Sequence, residues 1–390
     1  MEHGQRTWVS DADCRLEDFR RAVERHVRLA EYPMASAVHS NVLCYEGSDI
    51  RAVAAEPESR KALMVEWARA LMDGPGIVLF KNSFPDPVVV DAVSDRFFAM
   101  IAEQRAGNAN AGDHFAKPGA NDRIWNALEK LCLGDPHLFA RYYGNAATAL
   151  VSEAWLGPGY QVTSQINVVN PGGAAQSPHR DYHMGFQTTD VLAHFPAHAH
   201  RLSPVLTLQG AVAHCDMPLE TGPTLYLPFS QAYELGYLAW RRPEFIAYFD
   251  QHRIQLPLAK GDAVFFNPAL FHAAGSNRTA DVKRIANLLQ ISSAYGRAME
   301  SVDRTRMSAV LYPALLDLRK AEKLSEQECA HAVAACAEGY SFPTNLDRDP
   351  PLYGLAPETQ AQLMLRAVAE AWAPEIFREA LAKQARRREP

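Results

Sequence analysis

The chain has 390 residues, of which 48% are hydrophobic and 22% charged, and its formal net charge is −6. These values are ordinary for a globular protein, and the length allows one large catalytic domain with helical additions, or two domains. The mild acidity provides no general attraction for nucleic acid or anionic lipid, so we expect neither as a partner.

The six cysteines are scattered, and the sequence contains no C-x-x-C pair. We therefore expect reduced, mostly buried thiols, as is usual in the cytoplasm. The first residues are polar and charged, unlike a secretory signal, and no run of about 18 apolar residues predicts a membrane span. The expected location is the cytoplasm.

The first third of the chain is predicted to be mostly helical. Residues 16–71 follow this pattern until Gly74-Pro75-Gly76 interrupts it, and Ile77–Phe80 then reads as a buried strand. Asp86-Pro87 predicts the start of a further helix.

The centre of the chain contains short strand candidates separated by glycine, proline and asparagine. They are Tyr160–Val169, Leu206–Ala213, Thr224–Leu227, Ala263–Phe266 and Ile285–Ile291. A succession of short strands with few helices favours a sandwich or jelly roll.

After about Ala298 the pattern becomes helical again. Residues 325–328 form a capping box, Pro357 predicts the start of a helix that runs towards Trp372, and residues 383–390 should be frayed. We expect three parts: an N-terminal helical region (1–74), a β-rich catalytic domain (75–298) and a C-terminal helical extension (299–390).

His179 and Asp181 are the first candidate metal ligands. Residues two apart in an extended segment point to the same face, so an imidazole and a carboxylate can converge on one ion. His272, which follows the strand at Ala263–Phe266, is the best candidate for a third ligand. Two histidines and one carboxylate leave three positions open, which suits non-haem iron(II). A single H-x-D more often binds no metal, so the surrounding motifs decide.

Five motifs, in the same order, resemble the phytanoyl-CoA dioxygenase family of iron(II)- and 2-oxoglutarate-dependent oxygenases. They are Gly76-Ile77-Val78-Leu79; Gln176 before His179-Arg180-Asp181; Glu220-Thr221-Gly222-Pro223-Thr224 followed by Leu227-Pro228-Phe229-Ser230; Gly261-Asp262 before a strand; and His272, Gly275, Asn277 and Arg278 leading to Arg284. The resemblance implies a mainly β fold with helical additions (α+β), in which helices flank a double-stranded β-helix of the jelly-roll or cupin type.

The resemblance also implies an enzyme that holds iron(II) at His179, Asp181 and His272 and uses 2-oxoglutarate and O2. Such an enzyme hydroxylates, or otherwise oxidises, an unactivated C–H bond of a small-molecule metabolite and releases succinate and CO2. Relatives that halogenate carry a small residue in place of the carboxylate. Asp181 therefore favours hydroxylation, desaturation or ring formation over halogenation.

Arg284, twelve positions after His272, is by the same resemblance the expected anchor for the far carboxylate of 2-oxoglutarate. A guanidinium matches a carboxylate with two parallel hydrogen bonds. Lys283 and then Arg278 are weaker candidates, and Arg284 could instead be a surface residue of an edge strand. Ala274 stands where relatives often carry a hydroxyl, so a further co-substrate contact would come from elsewhere.

Other candidates carry weaker signals. Gln165, Asn167 and Thr224 could contact 2-oxoglutarate, although the first two could equally be a solvated strand face. The long segment 182–204 could act as a lid or specificity element, and residues near the substrate are expected at its start and just before it. These candidates are Arg180, Tyr182, His183, Met184 and Phe186. The histidines at 194, 198 and 200 lack a zinc-site spacing and are expected to line the loop or pocket.

Two other functions stay open. One is a metal-dependent isomerase or lyase of the cupin type that does not use O2, and the other is a non-catalytic binding protein on the same fold. The substrate is not readable from the sequence. The terminal helical regions could cover the barrel, support a homodimer or shape the substrate entrance.

Overall fold

The computed structural model describes residues 7–107, 119–352 and 354–390, which contain eleven strands and fifteen α-helices. The strands are β1 (Ala37–His39), β2 (Val42–Glu46), β3 (Ile77–Lys81), β4 (Asn121–Ile124), β5 (Gln161–Val169), β6 (Thr207–Ala213), β7 (Leu225–Leu227), β8 (Ile254–Gln255), β9 (Ala263–Phe266), β10 (Phe271–Ala273) and β11 (Arg284–Ser292). The helices are α1 (Leu16–Val23), α2 (Gly47–Ala54), α3 (Pro57–Met72), α4 (Pro87–Ala106), α5 (Ala127–Gly134), α6 (Pro136–Tyr143), α7 (Ala146–Leu156), α8 (Thr189–Leu192), α9 (Ala197–Leu202), α10 (Gly236–Ala239), α11 (Pro243–His252), α12 (Arg304–Lys320), α13 (Glu326–Cys336), α14 (Gln360–Ala369) and α15 (Pro374–Arg388). None of these helices is long and apolar enough to cross a membrane.

Eight strands form one large sheet in the order β1-β2-β3-β9-β6-β11-β5-β4. Its neighbouring strands are antiparallel except for the parallel pair β2–β3. Strands β10, β7 and β8 form a separate antiparallel sheet. The fold is therefore mixed α/β, with a large sheet accompanied by many helices.

The large sheet is buried on both faces. On β3, Val78 and Phe80 belong to the main core, which also contains residues of the surrounding helices. The alternate residues Ile77 and Leu79 pack with Tyr226 of the small sheet. Burial on both faces explains why this strand is a continuous apolar run rather than an alternating one.

The small sheet separates a second core from a cavity. Phe271 of β10 and Leu225 of β7 pack into this second core, in which Phe19 of α1 lies against Phe271 at 5.1 Å between ring centroids. The residues next to them, His272 and Tyr226, line a cavity of about 530 Å³ on the other face. The period-two alternation of a strand therefore directs these two polar side chains into the cavity.

The strand predictions are confirmed to within one residue at both ends. However, the prediction of a mostly helical first third missed β1 and β2. Both strands are short and lie between helical segments, and β2 is held by its parallel pairing with β3. The expectation of buried thiols is also confirmed, since only Cys215 among the six free cysteines is partly exposed.

Two predictions about the C-terminal helices were wrong. Helix α14 begins at Gln360 rather than near Pro357, because the Thr359 side chain accepts a hydrogen bond from the N–H of Gln362 and caps the helix. Residues 383–390 were expected to fray, but α15 continues to Arg388 because the buried Phe377, Leu381 and Gln384 fix it to the protein.

A buried histidine links the large sheet to the helices. Ser94 donates its hydroxyl hydrogen to the carbonyl of Val90 (2.7 Å), so it accepts from Nδ1 of His214 (2.9 Å). Nε2 of His214 then accepts from the Tyr142 hydroxyl (2.8 Å). The imidazole is neutral in this arrangement, and burial lowers the pKa of His214 to about 3.

This histidine should make stability depend on pH. Below its ordinary pKa of 6.5 the unfolded state binds a proton that the native state rejects until about pH 3, so the free energy of unfolding falls as the pH falls through this window. The slope should approach about 1.4 kcal/mol per pH unit once the pH is well below 6.5, where the unfolded histidine is fully protonated. Urea unfolding of the wild type and of His214→Gln between pH 7 and 5 measures it. Equal slopes in the two proteins would contradict the prediction.

Candidate metal centre

A single pair of backbone hydrogen bonds brings the two candidate histidines together. The N–H of His179 donates to the carbonyl of His272 (2.9 Å), and the N–H of His272 donates to the carbonyl of His179 (3.2 Å). Two residues further on, the N–H of Asp181 donates to the carbonyl of Pro268 (3.1 Å). The segment 179–181 thus runs alongside the approach to β10, and its alternate side chains point to the same side.

The three side chains place their potential ligand atoms within 4.8 Å of one another. Nε2 of His272 lies 3.3 Å from Oδ2 of Asp181, and Nε2 of His179 lies 3.8 Å from Oδ1. Each imidazole donates its Nδ1–H to the backbone carbonyl two residues earlier, His179 to Ser177 (3.0 Å) and His272 to Leu270 (2.8 Å). This leaves the Nε2 lone pairs free to bind a cation.

The electrostatics of the cluster also suit a cation. Burial lowers the pKa of His179, although the nearby carboxylate of Asp181 opposes this effect. For Asp181, burial alone would raise the pKa, but the two histidines and the Gln209 amide outweigh it and lower the pKa below the usual range. A neutral His179 beside an ionised Asp181 has the protonation states that a metal ion requires of these ligands.

Two polar residues outside the cluster hold its surroundings in place, and one of them contacts Asp181. Gln209, on β6, donates from Nε2 to Oδ2 of Asp181 (2.6 Å). Arg180 stands between the two candidate ligands in the chain and is buried, and its guanidinium donates to the carbonyls of Ser230 (2.5 Å) and Tyr233 (2.8 Å). A Cβ at Gly236 would lie 1.9 Å from this guanidinium, so only glycine leaves room for it.

Arg284 lines the same cavity from the first position of β11. It is 7% exposed, and among the described residues its only hydrogen bonds are long ones to the carbonyls of Thr221 (3.4 Å) and Gly275 (3.5 Å). No residue in that part of the chain forms an ion pair with it. Burial lowers the pKa of Arg284 to about 10, so the guanidinium stays charged at neutral pH. The weaker candidates, Lys283 and Arg278, are exposed.

Some of the other residues predicted from the sequence line the cavity, and one does not. Gln165, Asn167 and Thr224 line the cavity, as does the half-exposed Phe186. In contrast, Met184 belongs to the second core.

The remaining histidines of the 182–204 segment do not join the candidate ligands. His183 approaches the Thr207 hydroxyl with Nε2 (3.3 Å), and His200 is buried against the carbonyl of Leu192 (3.2 Å). His194 and His198 are exposed. Tyr182 is buried beside Asp181 with a positive φ of 38°, and its hydroxyl finds no hydrogen-bond partner among the described residues.

Sequence reasoning missed several residues of this cavity, among them Tyr226, Gln209 and Gln290. Tyr226 shares a strand face with Thr224, and this two-residue spacing could have indicated it. Gln209 and Gln290 carry no clear local signal, because each of their strands also contains other polar residues.

Comparison with known proteins identifies the class. The family model described as phytanoyl-CoA dioxygenase (PhyH) matches residues 53–285, and the chain belongs to this family. No curated protein sequence matches the chain significantly.

Solved structures give distant similarities. SnoN, a non-heme alpha-ketoglutarate-dependent epimerase from nogalamycin biosynthesis, is 19% identical, with 61% of this chain and 82% of that chain covered and a TM-score of 0.40. SnoK, a carbocyclase of the same biosynthesis, is 20% identical over 63% and 88% of the two chains, with a TM-score of 0.41. HygX from Streptomyces hygroscopicus, solved with nickel and 2-oxoglutarate bound, is 12% identical over 60% and 90%, with a TM-score of 0.40.

Removing a candidate ligand should abolish tight metal binding. Asp181→Ala and His272→Ala should each weaken iron(II) binding by more than the roughly 10- to 100-fold that loss of a supporting group costs. Calorimetry without O2 measures this, with His198→Ala, an exposed histidine of the neighbouring segment, as the control. Unchanged affinity in Asp181→Ala would exclude the carboxylate as a ligand.

Proposed function

We propose that this chain is an iron(II)- and 2-oxoglutarate-dependent dioxygenase that hydroxylates an unactivated C–H bond of a small-molecule metabolite. The observation that carries the proposal is one cavity that contains both the His179, Asp181 and His272 cluster and the buried cation of Arg284, which has no ion-pair partner among the described residues. Membership of the phytanoyl-CoA dioxygenase family supports the same reaction class.

The three candidate ligands fit iron(II). Two neutral imidazole nitrogens and one carboxylate on one side of the ion are the facial arrangement used by non-haem iron(II) oxygenases, which leaves further positions open. The backbone carbonyls of Ser177 and Leu270 hold the imidazole rings, and Gln209 holds the carboxylate of Asp181. The protein therefore supplies supporting groups that orient all three ligands.

The surroundings of Arg284 fit the far carboxylate of 2-oxoglutarate. A buried guanidinium with five N–H groups and, within the described part of the chain, only two long hydrogen bonds has unused donor capacity. A carboxylate would supply both the missing charge and two strong acceptors. Between Arg284 and Gln209, the cavity is lined by small residues such as Ala286 and Ala213, which leave room for the carbon chain. We propose Asn167, Thr224 and Tyr226 as further contacts at this end.

The groups bound at this site would supply the oxidising chemistry: oxidation of 2-oxoglutarate to succinate and CO2 by O2 would leave one oxygen atom for insertion into the substrate C–H bond. The chain's own residues orient the reactants and exclude water. Arg284 would hold the co-substrate, and the apolar walls at Phe266 and Trp240 would shield the reaction. Because Asp181 is retained, we propose hydroxylation rather than halogenation.

We further propose that the two sheets form a double-stranded β-helix with the cavity between them. The proposed site residues lie between 165 and 284, which supports residues 75–298 as the catalytic unit. The N-terminal region 1–74 would then extend the large sheet through β1 and β2, and 299–390 would form the helical extension. We propose a small-molecule substrate and a cytoplasmic location.

Succinate formation tests the reaction class. The wild type, supplied with iron(II), 2-oxoglutarate and air, should release succinate, and Asp181→Ala should not. The metal-dependent isomerase and the binding protein would bind no 2-oxoglutarate. Absence of both succinate and iron-dependent 2-oxoglutarate binding would reject the proposal.

Arg284→Gln tests the co-substrate anchor. Loss of a charge-assisted, two-point interaction of about 2–3 kcal/mol should raise the dissociation constant for 2-oxoglutarate roughly 30- to 150-fold while iron(II) binding is retained. Arg278→Gln makes the same chemical change at an exposed position and should leave both affinities unchanged. Equal 2-oxoglutarate affinities in the two variants would exclude Arg284 as the anchor.

A further inference from the structure

Three glutamine side chains form a polar row across the cavity wall. Arg123 donates from Nη1 to Oε1 of Gln165 (2.8 Å), and Nε2 of Gln165 donates to Oε1 of Gln290 (3.0 Å). On the next strand Gln209 donates from Nε2 to Asp181 (2.6 Å). We call Gln165, Gln290 and Gln209 the amide row.

The amide row is interrupted by one gap, between the side chains of Gln290 and Gln209. Gln290 of β11 is the direct partner of Gln209 of β6, and both line the cavity. Side chains of such partners have Cβ atoms about 5 Å apart. Their amides do not bond to each other, so a small group can lie between them.

The hydrogen-bonding groups that face the gap are set by the residues at the two ends of the amide row, Arg123 and Asp181. A guanidinium only donates hydrogen bonds, so Gln165 must present its oxygen to Arg123 and its nitrogen to Gln290. Gln290 then has Nε2 left as a donor. A metal-binding carboxylate only accepts, so Gln209 must present Nε2 to Asp181 and has Oε1 left as an acceptor.

The free acceptor is well buried. Gln209 is 7% exposed, and its Oε1 has no hydrogen-bond partner within the described residues. Likewise, none of them accepts from Nε2 of Gln290. A buried polar atom without a partner in the protein indicates a bound water or a ligand group.

We propose that the substrate carries an alcohol hydroxyl that binds between Gln290 and Gln209, an inference that rests on the proposed function. A hydroxyl accepts one hydrogen bond and donates another through a single oxygen. A carboxylate or phosphate could not donate to Gln209, and an ammonium group could not accept from Gln290. Because Gln209 also contacts Asp181, this hydroxyl would place the neighbouring C–H bonds of the substrate beside the metal centre.

The position of the amide row separates it from the co-substrate end. Gln290 lies six residues from Arg284 along β11, which is about 20 Å of extended strand. The cavity walls also include Trp125, Leu288 and Trp240, which favour an apolar carbon skeleton. Nε1 of Trp240 is buried without a hydrogen-bond partner among the described residues and offers one more donor. The substrate class is therefore a small, uncharged alcohol with a largely apolar skeleton.

Three probes of one shape test this inference: cyclohexanol, which donates and accepts; methoxycyclohexane, which only accepts; and cyclohexylamine, which as an ammonium only donates. The full chain is loaded with iron(II) and 2-oxoglutarate without O2, and ligand-observed NMR gives each dissociation constant. The wild type should bind cyclohexanol about 5-fold or more tightly than the ether, which corresponds to one net hydrogen bond.

Two substitutions of Gln290 sharpen the test. Gln290→Leu should remove the preference for the alcohol over the ether. Gln290→Glu keeps the shape and the acceptor for Gln165 but turns the free donor into an acceptor, so it should prefer cyclohexylamine to cyclohexanol. The control Gln251→Leu, at an exposed position of α11, should bind all three probes as the wild type does.

Binding of 2-oxoglutarate to the iron-loaded proteins distinguishes a failure of the hydroxyl inference from a failure of the proposed function. If 2-oxoglutarate binds in the wild type and variants but the wild type does not prefer the alcohol, or binds none of the probes at tens of millimolar, the hydroxyl inference is wrong and the proposed function stands. The hydroxyl inference is equally wrong if Gln290→Glu keeps the wild-type order of affinities. If iron-dependent 2-oxoglutarate binding is absent from the wild type, the proposed function itself fails.

Discussion

The backbone pairing of His179 with His272 is the interaction on which the candidate site depends. It joins segments 93 positions apart in the chain and places the two histidines side by side through backbone hydrogen bonds alone. Asp181 then reaches the same side because a strand alternates its side chains with a period of two. In both histidines the Nδ1–H donates to the carbonyl two residues earlier, so the same local geometry sets the tautomer twice.

Two buried arginines illustrate how the structure distinguishes a structural cation from a binding cation. Arg180 donates to two carbonyls at short distances and lies over the rings of Phe271 and Tyr237, each 5.2 Å from its guanidinium carbon. Arg284 has two long hydrogen bonds to described residues and opens into the cavity. Burying a charge is costly unless it is paired, so the partner that residues 7–107, 119–352 and 354–390 do not provide for Arg284 is one that a ligand can supply.

Sequence alone could predict the features that depend on short-range patterns. The H-x-D spacing, the strand before His272 and the cap at Asp86 are all local, and the structure has the strands and the capped helix. Gln209 and Gln290 could not be found in this way, because their meaning depends on the register between two strands about 80 residues apart. Strand β2 was missed because it also depends on a distant partner: its short sequence forms a strand by pairing with β3.

The charge at the metal and co-substrate end of the cavity favours a neutral substrate group there. A metal dication, the Asp181 carboxylate, a doubly charged 2-oxo acid and the Arg284 guanidinium would together carry no net charge. A second anion or cation bound beside them would have to be desolvated at a cost without a paired charge at that end, because the Arg123 guanidinium, which also lines the cavity, lies at the far end of the amide row. Amides avoid this cost because they recognise a group by the direction of its hydrogen bonds rather than by its charge. The uncharged amides of the row therefore complement a charged metal and co-substrate end that is already balanced.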